Sequence, residues 1–344
     1  METYHQTKPN GLRWLFALGA AAGTFLLVFV PGGWWLKSAQ QPDEILTALL
    51  LKQLLTVMLL LIVPSLWARL AHRTSPWVLV LLTGFAFGCG LLLSNDWTAA
   101  LYAALLAALP GAGLYALQRL KLSNFRTVLY EAFLILAALF GYACLPDLIK
   151  SGDAYRSVKW ILGLYTQMLG GLGASFYELG ATDLLSTALE SVNLLRMNAE
   201  TIAVPILLTA SMAAALSNVL FSHLFNRNGG ANLTALPRFE DWRCERWYVI
   251  LIAAFSLTTI LLRLFGVKSA DALSSVADVL WRMPCALAGL CTVRKLGIRA
   301  RKGWIFWIAV AMLLTLPPAA LLILTVLGML SSLRSFKRDG ERME

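Results

Sequence analysis

Residues 76–119 read PWVLVLLTGFAFGCGLLLSNDWTAALYAALLAALPGAGLYALQR, and they establish the class of fold. They hold two apolar runs of about 20 residues, the length at which a helix crosses a ~30 Å hydrocarbon core. Only Asn95 and Asp96 separate the runs. In hydrocarbon every backbone N–H and C=O needs a partner within the chain, so such runs form helices. Barrel strands would alternate polar and apolar residues, and these runs do not.

The same pattern recurs along the whole chain, which is 58% hydrophobic and only 14% charged. This composition excludes an ordinary soluble domain. It predicts an all-α fold, a polytopic transmembrane helix bundle of about 8–9 spans with an external amphipathic helical segment. The ninth run contains Pro317 and Pro318, which predict a bent or broken helix there. The predicted spans are 13–31, 45–67, 76–94, 97–119, 127–147, 200–225, 246–266, 278–297 and 303–332.

Basic residues are distributed unevenly between the two sides of the predicted bundle. With the N-terminus inside, the inner segments carry 16 Lys and Arg residues, whereas the short outer loops carry only Lys37 and Lys268. Because cytoplasmic loops collect Lys and Arg, this predicts a multi-pass protein of the bacterial cytoplasmic (inner) membrane with both termini cytoplasmic. The net charge of +10 is therefore a signal of topology, and the lipid bilayer, not nucleic acid, is the expected partner.

The segment 148–199 lies outside in this topology and differs from the spans. Its second helix, from about Asp183 to Met197, has one apolar face, and Arg196 lies at the edge of that face. Such a helix lies in the membrane interface or caps the bundle. We therefore divide the chain into an N-terminal five-span region (1–147), this external segment (148–199) and a C-terminal membrane region with a basic cytoplasmic tail (200–344).

Catalytic and cofactor signatures are absent from the sequence. There is no HExxH, GxSxG, Walker or GxGxxG motif, and the three histidines are far apart. The five cysteines are scattered without metal or disulfide spacing. We expect no enzyme activity, no catalytic residue, no cofactor and no metal site.

A few ionisable residues lie within the predicted spans. Lys52, Arg263, Asp278 and Arg282 all fall in the outer half of the bilayer, and Glu131 lies one turn into the fifth span on the inner side. Charges in a membrane normally face a cavity or a partner. The first four residues predict an outward-facing pocket that favours an anionic ligand. The alternative is that Lys52 and Arg263 reach the headgroups while Asp278 and Arg282, four residues apart, form a structural pair.

Small residues at four-residue spacing predict close helix contacts. In the first span Ala17 and Ala21 have this spacing, and in the third span Gly84 and Gly88 do.

An inner loop, LPRFEDWR at residues 236–243, is the most distinctive local sequence. Pro237 ends any helix, Phe239 and Trp242 can anchor the loop at the interface, and Arg243 faces cytoplasm or anionic lipid. This loop is a structural anchor or, alternatively, a docking site for a cytoplasmic or membrane protein partner.

LPRFEDWR, preceded by the span ending SNVLFSHLFNR, resembles the YybS-like family of bacterial membrane proteins, a domain of unknown function. The resemblance covers the whole chain loosely and about 200–335 more specifically. It departs from the family at Cys244-Glu245, where a proline is common, and at Met329-Leu330-Ser331, where an aspartate often follows the glycine. The resemblance implies a membrane core similar to the S components of energy-coupling-factor transporters, which capture small molecules from outside.

Two functions follow as hypotheses. The first is a module that binds or transports a small molecule taken from the outer face. The second is a non-catalytic envelope assembly or scaffold protein that uses the inner loop for docking.

Overall fold

The computed structural model describes residues 11–32, 42–178, 182–226, 242–267 and 269–340, and in these ranges it is helical without strands. The described helices, in chain order, are α1 (Gly11–Gly32), α2 (Pro42–Leu60), α3 (Val63–Arg73), α4 (Trp77–Ser94), α5 (Trp97–Arg119), α6 (Asn124–Ala143), α7 (Leu145–Ser151), α8 (Arg156–Gly171), α9 (Gly173–Glu178), α10 (Thr182–Met197), α11 (Ala199–Asn226), α12 (Arg246–Leu264), α13 (Ala270–Arg299), α14 (Trp304–Thr315) and α15 (Pro317–Gly340).

Eight segments of the described chain are long and apolar enough to cross a membrane. They coincide with the first eight spans predicted from the sequence, and the all-α polytopic bundle is confirmed. The chain is therefore a multi-pass membrane protein. The segments are Trp14–Gly32, Glu44–Arg73, Trp77–Ser94, Trp97–Arg119, Asn124–Ser151, Thr201–Phe225, Arg246–Leu264 and Ala270–Arg299.

Local sequence signals set the ends of several helices. Asn95 adopts a left-handed conformation (φ 52°) that ends α4. Asp96 then caps α5 by accepting a hydrogen bond from the amide of Thr98 at 2.9 Å. Hydrogen bonds from the Thr98 hydroxyl and amide lower the pKa of Asp96 below its ordinary value. The turn between two spans thus needs only two residues.

Contacts between Cα atoms divide the chain into two compact units. Unit 1 comprises Met1–Ala199 and Ala210–Thr234, and unit 2 comprises Glu200–Thr209 and Ala235–Glu344. The boundary between the units falls within α11. The three-region division made from the sequence is a different partition and stays a prediction.

In unit 1, glycines bring helix backbones close together. A Cβ at Gly90 of α4 would lie 2.8 Å from the Cα of Ala100 in α5, and one at Gly23 of α1 would lie 2.9 Å from a methyl group of Val63 in α3. Distances below 3.0 Å are not tolerated by real Cβ atoms, so both positions need glycine. The helices can approach because the side chain is missing.

The small-residue motif of the third span faces open space in the described part of the chain. A Cβ at Gly84 or Gly88 would find no neighbour within 4 Å among the described residues. On that helix the close approach lies at Gly90 instead. In the first span, Ala17 and Ala21 are half-buried, and the fully buried small residue is Ala20 between them. A helix contact through Gly84 and Gly88, or through Ala17 and Ala21, stays a prediction.

In unit 2, α13 and α15 pack with their backbones in contact. A Cβ at Gly289 would overlap the carbonyl of Leu324, and one at Gly328 would overlap the carbonyl of Cys285. Since the later residue of α13 meets the earlier residue of α15, the two helices run antiparallel. Helix α15 therefore returns towards the end of α13 at which Ala270 lies.

The ninth run is broken, as its proline pair predicted. Helix α14 ends at Thr315, Leu316 is non-helical (φ −130°, ψ 61°), and α15 begins at Pro317. Because α15 packs antiparallel to α13, the end of α15 lies on the same side of the membrane as Ala270. The charge pattern predicts that this side is outside. The four cations of the tail predict the opposite side, and the location of the tail stays a prediction.

Candidate functional site

The acid and cations predicted for an outer pocket in unit 2 are engaged in ion pairs. The Nη2 atom of Arg282 lies 2.8 Å from the Oδ2 atom of Asp278, as their spacing of four residues predicted. The Nε atom of Arg263 lies 3.1 Å from the Oδ1 atom of Asp271, an acid that the sequence analysis did not assign. All four side chains are exposed, between 46% and 70%. Each cation therefore has an acidic neighbour that balances its charge.

Lys52, the fourth candidate, belongs to unit 1 and lies half-buried in α2. It makes no ion pair with a described residue. Its carbonyl accepts a hydrogen bond from the Thr56 hydroxyl at 2.8 Å. A pocket shared by Lys52, Arg263, Asp278 and Arg282 stays a prediction, because the four residues are divided between the two units.

Most of the candidate partner loop, including Pro237 and Phe239, lies outside the described residues. Trp242 is half-buried and Arg243 is exposed. The chain that follows is well anchored in unit 2, since the Tyr248 hydroxyl donates a hydrogen bond to the Leu280 carbonyl at 2.6 Å. Docking at this loop stays a prediction.

The clearest polar feature within a span is Glu131 of α6. Its side chain is fully buried in unit 1. Neither carboxylate oxygen has a hydrogen-bond partner among the described residues. Gly113 of α5 lies beside this carboxylate: a Cβ there would be 3.7 Å from Oε2 and would overlap a methyl group of Leu134. Glu131 is seven residues from the start of α6, about 10 Å along the helix axis.

Glu131 continues a polar stripe on its own helix. Asn124, Thr127 and Glu131 are all buried and recur at the three- and four-residue steps of one helical face. Polar side chains in a span normally face the bundle interior, where they find partners or water. The buried face of α6 thus combines these polar residues, in the first half of the helix, with apolar ones such as Ile135 and Ala138.

A second stripe lies on α11 in the same unit. Ser211, Asn218 and Ser222 are all fully buried at helical spacing. Neither the side-chain nitrogen nor the side-chain oxygen of Asn218 has a hydrogen-bond partner among the described residues. Two buried polar groups in unit 1, a carboxyl and an amide, therefore have hydrogen-bonding capacity that the described protein atoms do not satisfy.

A cationic cluster lies where α1 begins and where α3 and α11 end. Arg69 is 1% exposed, and its guanidinium carbon lies 5.5 Å from the centre of the Phe16 ring. The guanidinium of Arg73 lies 5.9 Å from the same ring, whose edge also meets Phe225 at 5.7 Å. The sequence places these three helix ends on one side of the membrane, and these contacts agree with that alternation of spans.

The end of α5 joins the same region through a histidine. The Nε2 atom of His72 lies 2.9 Å from the Oε1 atom of Gln118, and the His72 ring lies 4.7 Å from the Tyr115 ring. Arg119 also lies over Tyr115, at 5.9 Å. Basic and aromatic residues therefore lie together within about one helical turn of the ends of α3 and α5 in unit 1.

The segment 148–199, which the charge pattern predicts to be external, contains a cavity that the sequence did not reveal. It has a volume of about 220 Å³ and lies between α8 and α10. Its lining consists of Trp160, Gly163, Leu164, Thr166, Gln167 and Arg196. Sequence analysis had placed Arg196 only at the edge of an apolar face, because the pairing of α8 with α10 is a tertiary contact.

Comparisons with known proteins give no relative for this fold and these sites: a scan against protein-family models, a search of the curated proteins and a search of the solved structures each find no match. Within the described part of the chain, no group of three or more His, Cys, Asp or Glu residues could hold a metal ion. The function must therefore be inferred from the polar groups themselves.

Sequence reasoning identified Glu131 as an ionisable residue in a span but assigned it no role. It missed Asn218 entirely. The signal was present in the spacing of Ser211, Asn218 and Ser222, which marks one polar face on an otherwise apolar helix.

Proposed function

We propose that this protein binds a small polar solute in the membrane and moves it across, and that Glu131 binds a proton or a cation in that process. The observation that carries the proposal is the full burial of the Glu131 carboxyl within a span, with no hydrogen-bond partner among the described residues. Ionisable residues at such positions most often belong to ion or substrate pathways.

The physical reason is the cost of an unpaired carboxylate. An acidic side chain at the centre of a membrane helix costs about 2.5–3.5 kcal/mol on insertion scales, and an isolated buried charge tends to be neutralised. A bound proton or cation removes that cost. Glu131 lies in a span of 28 residues, so a group bound there is within the membrane.

The polar stripes of unit 1 support a path for a solute next to this carboxyl. The amide of Asn218 can both donate and accept hydrogen bonds, as a polar ligand requires. The stripe of α6 extends from Asn124, at the start of the helix, to Glu131. A role restricted to scaffolding does not require polar groups at these buried positions.

The membrane, the orientation and the family of the protein are part of the same proposal. We infer a bacterial cytoplasmic membrane with the N-terminus inside, from the distribution of Lys and Arg. A transport or binding role without catalysis accords with the absence of catalytic motifs. Membership of the YybS-like family, with a core similar to the S components of energy-coupling-factor transporters, is proposed on the loop LPRFEDWR and the preceding span that ends SNVLFSHLFNR.

Thermal unfolding in detergent tests the role of Glu131. A ligand that binds the folded state raises its stability by RT ln(1 + [L]/Kd). We expect the midpoint of wild-type unfolding to depend on Na⁺, compared with choline at equal ionic strength, or on pH between 5 and 8. The variant Glu131→Gln should lose that dependence.

The matched control is Glu190→Gln, which changes an exposed acid on α10. It should respond to Na⁺ and pH as the wild type does. An identical response of wild type and Glu131→Gln to both variables would refute the proposal.

Retention of a solute by the purified protein separately tests the residues predicted to line an outer pocket. Native mass spectrometry of the purified protein should show a bound small molecule that is lost in Lys52→Ala, Arg263→Ala or Arg282→Ala if those residues line an entry pocket. Equal retention by all three variants would remove the outer pocket and leave the proposal for Glu131 standing.

A further inference from the structure

We propose that the cavity between α8 and α10 binds the phosphate group of a phosphate-bearing ligand, with Arg196 as the residue that recognises it. This site is independent of the function proposed for Glu131. It lies in the external segment, between Trp160 of α8 and Arg196 of α10.

Arg196 is the basic residue among those that line the cavity. It makes no ion pair with any described residue. Lys159, which precedes Trp160 in the chain, lies 2.7 Å from the Oδ2 atom of Asp153, and this hydrogen bond holds the pKa of Asp153 below its ordinary value. The guanidinium of Arg196 is therefore free to bind an anion, and its planar set of donors matches a phosphate.

Gly163 lies beside the guanidinium of Arg196. A Cβ at this position would lie 3.7 Å from the Cζ atom of Arg196, so the guanidinium lies directly against the backbone of α8. A larger side chain would fill this space. The arrangement holds the cation at the wall of the cavity.

Polar and aromatic groups complete the lining. Gln167 is exposed and supplies amide N–H groups that can donate to a phosphate oxygen, whereas the Thr166 hydroxyl donates to the Leu162 carbonyl at 3.0 Å. Trp160 is 52% exposed. An indole with one polar N–H favours the membrane–water interface, where phosphate groups of lipids lie.

Apolar side chains also surround this part of the segment. Tyr165 of α8 and three residues near Arg196 are exposed, namely Leu194, Leu195 and Met197. A helix pair with exposed apolar groups around a cation is suited to the headgroup region of a bilayer. The phosphate can belong to an anionic lipid or to a soluble phosphate ester, and the chemistry of recognition is the same.

Native mass spectrometry of the full chain tests the proposal with two probes, phosphatidylglycerol and glycerol 1-phosphate. We expect Arg196→Gln and Gly163→Leu to bind the phosphate probe at least tenfold more weakly than the wild type. Arg156→Gln removes an exposed cation of α8 that does not line the cavity, and it should bind as the wild type does.

The two probes distinguish the source of the phosphate. Loss of phosphatidylglycerol alone in both cavity variants supports a lipid site, and loss of glycerol 1-phosphate supports a soluble ester. Equal binding of both probes by wild type and Arg196→Gln would overturn the proposal. Circular dichroism of each variant confirms that helix content is retained.

Discussion

At the scale of single residues, Trp67 shows how unit 1 is held together. Its indole is fully buried and lies against Gly111 of α5, where a Cβ would be 2.7 Å from Cε3. The indole N–H donates to the Thr24 hydroxyl of α1 at 2.8 Å, and that hydroxyl donates to the Ala20 carbonyl at 2.6 Å. One side chain of α3 thus joins three helices, because it fills a gap that glycine leaves and satisfies its only donor.

We expect Thr24→Val to lower the free energy of unfolding by about 1 kcal/mol, because the buried indole N–H loses its acceptor. Thr258→Val is the control, since Thr258 is exposed and bonds only to its own helix, at the Ala254 carbonyl. Chemical or thermal unfolding in detergent measures both. A loss of equal size in the control would contradict this role for Thr24.

At the scale of helices, the contact between α13 and α15 depends on two glycines, Gly289 and Gly328. A side chain at either position would overlap a backbone carbonyl, which flexible neighbours cannot relieve. In α4, by contrast, Gly84 and Gly88 have open space. The same residue type therefore has opposite importance in the two helices.

We expect Gly289→Val and Gly328→Val each to destabilise the protein by about 3 kcal/mol or more, because α13 and α15 must separate. Gly84→Val and Gly88→Val should change the unfolding midpoint little. Fluorescence-detected size exclusion after heating compares the four variants. Equal losses in both pairs would show that the described contacts do not determine stability.

The direction of α15 gives a second prediction for this pair of helices. Because α15 runs antiparallel to α13, a cysteine at Ser335 should lie on the same side of the membrane as one at Ser269, just before α13. An impermeant thiol reagent, applied to intact cells and to inverted vesicles in a cysteine-free background, should label both in the same preparation. Labelling on opposite sides would show that the basic tail follows the charge rule instead.

The spans and their breaks could be predicted from sequence, whereas the pairing of helices could not. Hydropathy shows which segments are apolar enough to lie in a membrane, so the eight spans could be predicted from the sequence. The break before Pro317 could be predicted from the proline pair. Small-residue spacing shows that a helix can be approached closely but does not identify its partner, so Gly90, Gly111 and Gly289 needed the structure. Likewise, the pair of Asp278 and Arg282 follows from local spacing, while Arg263 and Asp271 meet across a turn.

At the scale of the whole molecule, the distribution of Lys and Arg predicts which side of the membrane each loop occupies. Ser186, which is exposed on α10, should be labelled as a cysteine by the same reagent in intact cells. A cysteine at Asn228, in the loop before α12, should not be. Labelling of Asn228 from outside would invert the topology and place Lys52, Arg263, Asp278 and Arg282 at the inner face.

Buried polar groups in unit 1 distinguish this molecule from a simple apolar bundle. Glu131 and Asn218 lie fully buried on different helices of the unit. Their hydrogen-bonding capacity exceeds what the described protein atoms supply. Since such groups are costly in hydrocarbon, they are the observation on which the proposed role of Glu131 rests.

Chemical modification of Glu131 tests this account most directly. Dicyclohexylcarbodiimide enters apolar regions and reacts with a protonated carboxyl, whereas a water-soluble carbodiimide reaches exposed acids such as Glu190. Peptide mass spectrometry should find Glu131 modified by the apolar reagent only, and Na⁺ or rising pH should reduce that modification. Modification of Glu131 by the water-soluble reagent, or by neither reagent at any pH between 5 and 8, would contradict a buried proton- or cation-binding carboxyl.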